Sequence, residues 1–275
     1  MPVPPTDIKG AVKKAVKRAA LFAGPMFRRC GSRILTYHSV GRRPHEMNIA
    51  PADFRIQMEW LKQCAHVISF EAAAGGEEGV AITFDDGYLD NYTNAVPVLL
   101  ELDLPATFFV VAGRVGGVLD HDTNRDSSTL MSWQNIQDLQ KARFEIGCHT
   151  KTHPRLAGLD RDAQHDEIAG AKDLLEQQLG REVASFAYPF GSRADYNDLS
   201  VAIAREAGFR QAASNRYGVN TPRTNRFDLR RIWVDRSDTF NTFKAKVDGR
   251  LDVLAALDSR AGRAARRLLN RLTQS

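Results

Sequence analysis

An α/β domain built as an incomplete or distorted barrel is the fold this sequence predicts. From Arg33 onward, short β-branched or aromatic runs take turns with helical patterns, and several of those runs are apolar throughout. Strands apolar on both faces belong to parallel sheets covered on each side. A third observation agrees: carboxylates and imidazoles follow these runs directly, at the strand ends where parallel α/β folds place their ligands.

RILTY (33–37) opens the series, and HVISF (66–70), VAITF (80–84), ATFFVVA (106–112), FEIG (144–147), VASFAY (183–188) and RRIWV (230–234) read as further strands. Helical patterns lie at 53–64, 92–102, 133–141, 162–179 and 195–207. The longest sets Ile168, Ala171, Leu175 and Leu179 on one face. The last two helices stop at Gly180 and Gly208, the usual place for a left-handed C-terminal residue. No internal repeat or low-complexity linker divides the chain. It reads as one domain at 33–240, with a basic amphipathic N-terminal extension at 1–32 and a basic helical C-terminal extension at 241–275.

The 275 residues are 43% hydrophobic and 26% charged, an ordinary globular balance that excludes disorder and fibrous folds. No stretch approaches the roughly 20 apolar residues of a membrane-spanning helix. Cys30, Cys64 and Cys148 are too few and scattered for a disulfide framework, which suits a reducing compartment. The apolar run at 19–23 is short, is broken by Gly24-Pro25 and is followed by Arg28-Arg29. No conventional signal peptide is read there, and a cytoplasmic location is expected.

Charge is unevenly spread. Residues 1–29 carry +6 and residues 259–275 carry +5 of a net +5, so the middle of the chain is at −6 and does not suit nucleic acid. Near the N-terminus Ile8, Val12, Val16, Ala19 and Phe22 recur at helical spacing beside Lys9, Lys13, Lys14, Lys17 and Arg18. Leu268, Leu269 and Leu272 stand among arginines at the other end. Such helices can lie on an anionic membrane, on the inner face of the cell membrane here, or pack on the barrel with their cations in water.

Four segments carry chemistry. In AITFDDG (81–87) an apolar strand ends in Asp85 and Asp86, whose side chains leave the backbone in different directions. One carboxylate can then bind a metal while the other faces a substrate, although Asp-Asp-Gly also serves as an ordinary helix-capping turn. In EIGCHTKTHPRL, His149 and His153 form an i, i+4 pair that on a helical turn can bind one cation; one carboxylate added makes three protein ligands. FAYPFG (186–191) offers a tight turn presenting the Phe190 amide to an oxyanion, or simply a strand-to-loop turn with a buried aromatic. His38 closes the first strand in ILTYHSV, a position open to structural and catalytic histidines alike. Cys148 reads as a small core residue, Trp133 as a helix-start aromatic or a sugar-groove wall, and His45, His66, His121 and His165 show no partner pattern.

TFDDG, HTKTH and YPFG, in this order and with these surroundings, resemble the polysaccharide deacetylase family, the NodB-homology or carbohydrate esterase family 4 proteins. The resemblance spans about residues 33–240 and is strongest to the branch with an N-terminal YH strand, related to the poly-N-acetylglucosamine deacetylases. It implies a distorted (β/α) barrel of seven or eight strands. It implies Asp85 as catalytic base, Asp86, His149 and His153 as ligands of a divalent metal, His38 as general acid and the Phe190 backbone as oxyanion donor. Zinc suits the ligand set, which also accepts cobalt, nickel or iron.

Ala187 stands where many members carry an arginine that orients the catalytic carboxylate, and the Asp-x-x-Asp-Trp motif that supports the acid histidine is missing. Arg231 and Asp235 are the candidates to replace them, or else form surface ion pairs. The activity implied is metal-dependent removal of N-acetyl groups from amino sugars of a polysaccharide or lipid-linked glycan. Competing readings are deformylation of a lipid-linked amino sugar, an inactive carbohydrate-binding homologue, and iron-based oxygen chemistry, which usually lies on an all-β scaffold.

Overall fold

The computed structural model describes residues 29–42, 46–119 and 129–258. The basic helical patterns expected at residues 8–22 and 259–275, together with His45 and His121, lie outside the described residues. In chain order the strands are β1 (Arg33–Tyr37), β2 (Ser39–Val40), β3 (Asn48–Ile49), β4 (Val80–Phe84), β5 (Thr107–Val110), β6 (Glu145–Cys148), β7 (Ser185–Ala187), β8 (Gln211–Tyr217) and β9 (Leu229–Trp233). Helices are α1 (Pro51–Cys64), α2 (Phe70–Gly75), α3 (Val96–Glu101), α4 (Trp133–Lys141), α5 (Arg161–His165), α6 (Ala171–Leu179), α7 (Asp198–Glu206) and α8 (Phe240–Val247). Two π-helical turns interrupt them: Asn91–Ala95 leads into α3, and Asp166–Gly170 joins α5 to α6. Among the described residues no helix is long and apolar enough to cross a membrane.

Seven strands close into a parallel barrel in the order β1-β4-β5-β6-β7-β8-β9, and β9 pairs back to β1 through Leu35 with Ile232 and Thr36 with Trp233. The chain falls into two compact units, Cys30–Ser237 and a second to which Arg29 and residues 238–258 belong. Within the second, Thr239 caps α8 and Lys246 pairs with Asp238.

Two strand expectations change. HVISF contributes one parallel bridge, Val67 to Val80, because Ser69 accepts the Ala72 N–H and so starts α2 at Phe70. That turn sends the Phe70 ring onto Phe109, centroids 5.4 Å apart and edge to face. Conversely β8, QAASNRY, carries no apolar run and is not legible as a strand, yet Gln211, Ser214 and Arg216 on it are buried and bonded. Gln211 donates to Ser185, Ser214 to the Leu229 carbonyl, and Arg216 pairs with Asp228. Helix 195–207 begins later, at Asp198, where Asn197 and Ser200 form a capping box. The long helix keeps its face: Ile168, Ala171, Leu175 and Leu179 are all buried.

Ile34, Ala81, Phe109, Ala187, Ala213 and Leu229 come from six of the barrel strands and form one buried cluster with Ile68, Phe70, Ala73 and Ala74. β6 supplies Gly147 opposite Phe109, and a Cβ there would lie 2.4 Å from the Phe109 ring. One phenylalanine thus takes the space its neighbours leave. On the other face Tyr37, Phe84 and Phe108 are register partners across β1, β4 and β5 and stack at 5.5 and 4.7 Å.

At the N-terminal ends of β5 to β8 a polar layer replaces the apolar one. Thr107 Oγ1 donates to Glu145 Oε2 at 2.7 Å, Ser185 Oγ donates to the other carboxylate oxygen, and Gln211 Nε2 donates to Ser185 at 2.9 Å. Burial raises the Glu145 pKa against the opposing pull of the two hydroxyls. A carboxyl raised on folding stabilises below its unfolded value, and that contribution is lost as pH rises through the folded value. Glu145→Gln should therefore gain stability over wild type as pH climbs from about 4 to 8. Urea melts across that range check it; a difference independent of pH would contradict the burial argument.

Candidate active site and metal centre

Asp85 leaves β4 with its N–H still bonded to the Tyr37 carbonyl at 2.9 Å, so its side chain keeps the strand's inward alternation. It meets Arg231 from β9. Nη1 and Nη2 donate to the two carboxylate oxygens at 2.7 Å each, and Nε donates to the Ser214 carbonyl at 3.0 Å. Both side chains are 0% exposed. Burial works to raise the Asp85 pKa, but the guanidinium fork, with His149 and His38 nearby, holds it below the usual carboxylate range. The Arg231 guanidinium also lies 5.6 Å from the Phe109 ring centroid, directly on the barrel core.

Asp86 points elsewhere because its backbone is left-handed, φ 71°. Its Oδ1 lies 3.3 Å from His153 Nε2 and 3.5 Å from His149 Nε2, and donor atoms of the three residues all fall within 4.8 Å of one another. Burial would raise the Asp86 pKa, and the imidazoles of His153, His38 and His149 lower it further than burial raises it. His149 Nδ1 sits 2.8 Å from the Ala187 carbonyl, which can only accept, so Nδ1 carries the proton and Nε2 turns its lone pair to the cluster. Burial pushes His149 down to about 4, keeping it neutral as a metal ligand must be. Asp86 Oδ1 is buried without a hydrogen-bond partner. A divalent cation fits that oxygen and the two nitrogens, and three protein ligands leave coordination positions open.

The histidine pair does not ride on a helical turn. It spans a loop in which Thr150 and His153 are left-handed, at φ 66° and 68°, and the bend brings the two rings to 4.9 Å. Of six non-glycine residues with positive φ among the described residues, Asp86, Thr150, His153 and Phe190 all lie at this site, so its backbone is held in costly conformations by the surrounding fold.

Phe190 follows β7 with φ 58°, its ring 4.8 Å from His153 and covered by Arg155 at 4.1 Å. Gly191 is required there: a Cβ would stand 2.5 Å from the Asn215 nitrogen, which donates to its carbonyl. His38, just past β1, places Nε2 at 4.0 Å from Asp85 Oδ2.

Asp235 does not support that histidine. Its Oδ1 accepts from the Ser237 N–H and hydroxyl, a local turn, while His38 Nδ1 is buried without a hydrogen-bond partner. His38 is fixed instead through its backbone, by Asn91 Nδ2 donating to its carbonyl at 2.6 Å, and Asp90 accepts from Val40 N–H and Ser39. Both residues lie at the π-helical turn after β4, whose irregular hydrogen bonding leaves no periodic trace in sequence. Cys148 is buried and its thiol pushed up to about 12 by burial, so it is no soft ligand. Trp133 is the first residue of α4 behind a Ser132–Asn135 capping box.

Removing one partner of a buried pair leaves the other charge uncompensated, so Arg231→Met should destabilise the protein by about 3–5 kcal/mol. Adding Asp85→Asn should recover much of the loss. Equilibrium urea unfolding measures both; a cost below about 1 kcal/mol for the single variant would show that the pair is not what holds this part of the barrel.

Known proteins bear on the site at this point. The polysaccharide deacetylase family model matches residues 72–212. YxkH of Bacillus subtilis is 25% identical over 224 residues, covering 78% of this chain and 75% of that protein. The poly-β-1,6-N-acetyl-D-glucosamine N-deacetylase of Staphylococcus aureus is 24% identical over 232 residues, covering 78% and 76%. The structure of IcaB from Ammonifex degensii superposes with a TM-score of 0.69 at 24% identity, over 82% of this chain and 98% of that one. With the family model covering half the chain and the barrel shared, this protein belongs to the polysaccharide deacetylase family.

Proposed function

We propose that the chain is a metal-dependent hydrolase that removes N-acetyl groups from amino sugars of a polysaccharide or lipid-linked glycan. The observation that carries this reading is the division of the two adjacent aspartates, Asp85 to Arg231 and Asp86 to the histidines. Asp86, His149 and His153 would hold the ion, zinc by preference of the donor set, with cobalt, nickel and iron also accommodated. When bound, it supplies Lewis acidity toward the acetamide carbonyl and makes water a better nucleophile.

The protein's own groups do the rest. Asp85, kept ionised and aimed by Arg231, takes the proton of the water attacking the acetamide carbon. The Phe190 backbone amide donates to the carbonyl oxygen as it gains negative charge. His38, near Asp85, gives a proton to the amide nitrogen as the C–N bond breaks, releasing acetate and a free amine. An amide nitrogen leaves poorly unless protonated, hence the need for an acid as well as a base.

The Staphylococcus aureus relative is named for poly-β-1,6-N-acetyl-D-glucosamine, which makes β-1,6-linked N-acetylglucosamine oligomers the first substrates to try. Zinc-loaded protein incubated with N-acetylated and N-formylated saccharides and lipid-linked sugars should release acetate, measured by mass spectrometry; release of formate alone would favour the deformylase reading, and no acid from any substrate the inactive one. Asp85→Asn should keep its metal and lose about a hundredfold or more in turnover, and His38→Ala should lose turnover on a similar scale. Asp86→Asn and His149→Ala should lose metal. Wild-type turnover by Asp85→Asn would overturn the mechanism.

The basic ends support a second part of the proposal, peripheral attachment to an anionic membrane on its cytoplasmic face, where each cation near the surface contributes about 1 kcal/mol. Full-length protein should float with anionic liposomes at low salt, and a variant lacking residues 1–29 and 259–275 should not. Failure of the full-length protein to float removes this part and favours a soluble substrate.

A further inference from the structure

The loop that carries His149 and His153 has its backbone groups satisfied from two sides, and one of them is a carboxylate the proposed reaction does not use. From the short turn Ala112–Arg114 that follows β5, the Ala112 and Gly113 N–H groups donate to the carbonyls of Thr150 and Lys151 at 3.0 and 2.8 Å. Gly113 permits this approach, since a Cβ on it would lie 2.6 Å from the Lys151 oxygen. From the helical side, Glu167 Oε2 accepts the N–H groups of both Lys151 and Thr152, at 3.0 and 2.9 Å, and its Oε1 accepts the Thr152 hydroxyl at 2.5 Å. Thr150 Oγ1 closes the loop by accepting the His153 N–H at 3.0 Å.

Glu167 reaches the loop from the π-helical turn Asp166–Gly170. In that wider turn three consecutive residues, Glu167, Ile168 and Ala169, are buried at 8%, 0% and 8% exposure, which an ordinary amphipathic helix does not do. Ile168 enters the core while Glu167 caps two adjacent N–H groups between the histidines. Those N–H groups belong to the segment between left-handed Thr150 and left-handed His153, a conformation that relaxes unless something over-determines it.

We infer that Glu167 is a positioning residue for the metal centre: it locks the strained 150–153 loop so that the Nε2 atoms of His149 and His153 converge with Asp86. The inference rests on the metal reading given above. A donor pair and a hydroxyl held by one buried carboxylate are stronger than neutral bonds, and supports of this kind around metal ligands are worth about tenfold to a hundredfold in metal affinity.

Full-length protein, zinc and a competing chromophoric chelator provide the test, with the thermal midpoint of the metal-free protein measured alongside. Glu167→Ala should weaken zinc about tenfold or more at a temperature where it stays folded. Glu167→Gln, which keeps an acceptor for the N–H pair, should recover most of that affinity. Thr152→Val, which removes one hydroxyl donor without touching the helix, should show a smaller loss in the same direction and decides the matter if Glu167→Ala does not fold. Turnover of Glu167→Ala at saturating zinc should return to within a few-fold of wild type, because Glu167 touches neither ligand imidazoles nor reacting atoms. Unchanged zinc affinity in folded Glu167→Ala, with or without a lower midpoint, overturns the inference and leaves the metal reading standing. Wild-type protein that takes up no zinc, cobalt or nickel overturns the metal reading and this inference with it.

Discussion

The ion pair of Asp85 with Arg231 is the constraint around which the upper barrel is arranged. Two charges removed from water are tolerable only when geometry is good and further hydrogen bonds offset the desolvation: here the guanidinium forks onto the two carboxylate oxygens and its Nε–H donates to the Ser214 carbonyl. The guanidinium lies over the Phe109 ring, itself part of the core cluster that includes Ala81, Ala187 and Ala213. β7 carries alanine at position 187, and the cation for Asp85 arrives from β9, two strands along.

With Asp85 tied down, the next residue is free to serve another purpose, and a left-handed Asp86 is what turns consecutive carboxylates to different partners. Left-handed backbone recurs at Thr150, His153 and Phe190, so four of the six positive-φ non-glycine residues among the described residues gather at the catalytic end of the barrel. The supports are specific. The Ala187 carbonyl sets the tautomer of His149, Asn91 holds the His38 carbonyl, Asn215 holds Phe190 through its carbonyl, and Glu167 holds the histidine loop. Each reaches across from a different strand or helix, which makes the site a property of the closed barrel and not of any one segment.

Much of this was legible in the sequence, for local reasons. Apolar runs such as VAITF and RILTY can only be strands buried on both faces, and motifs at their ends, DDG and HTKTH, carry residue types whose chemistry is narrow. Arg231 and Asp235 were equal candidates on paper. Arg231 faces inward with β9 and reaches Asp85, whereas Asp235 lies beyond the strand and is taken up by its own turn with Ser237. QAASNRY escaped notice because a strand filled with polar side chains has no hydrophobic period, its burial being compensated by partners distant in sequence.

The sequence by itself determined the parallel α/β class, the strand ends where chemistry sits, and the ligand types, because these follow from side-chain periodicity and from the functional groups themselves. Only the tertiary structure decided that Arg231 is the cation on Asp85, that the histidine pair bends through left-handed residues, and that Glu167, Asn91 and Asn215 brace the site. Those outcomes depend on barrel closure, which brings together residues 146 positions apart in the case of Asp85 and Arg231. No local propensity encodes such a contact; it exists only once seven strands have met in register.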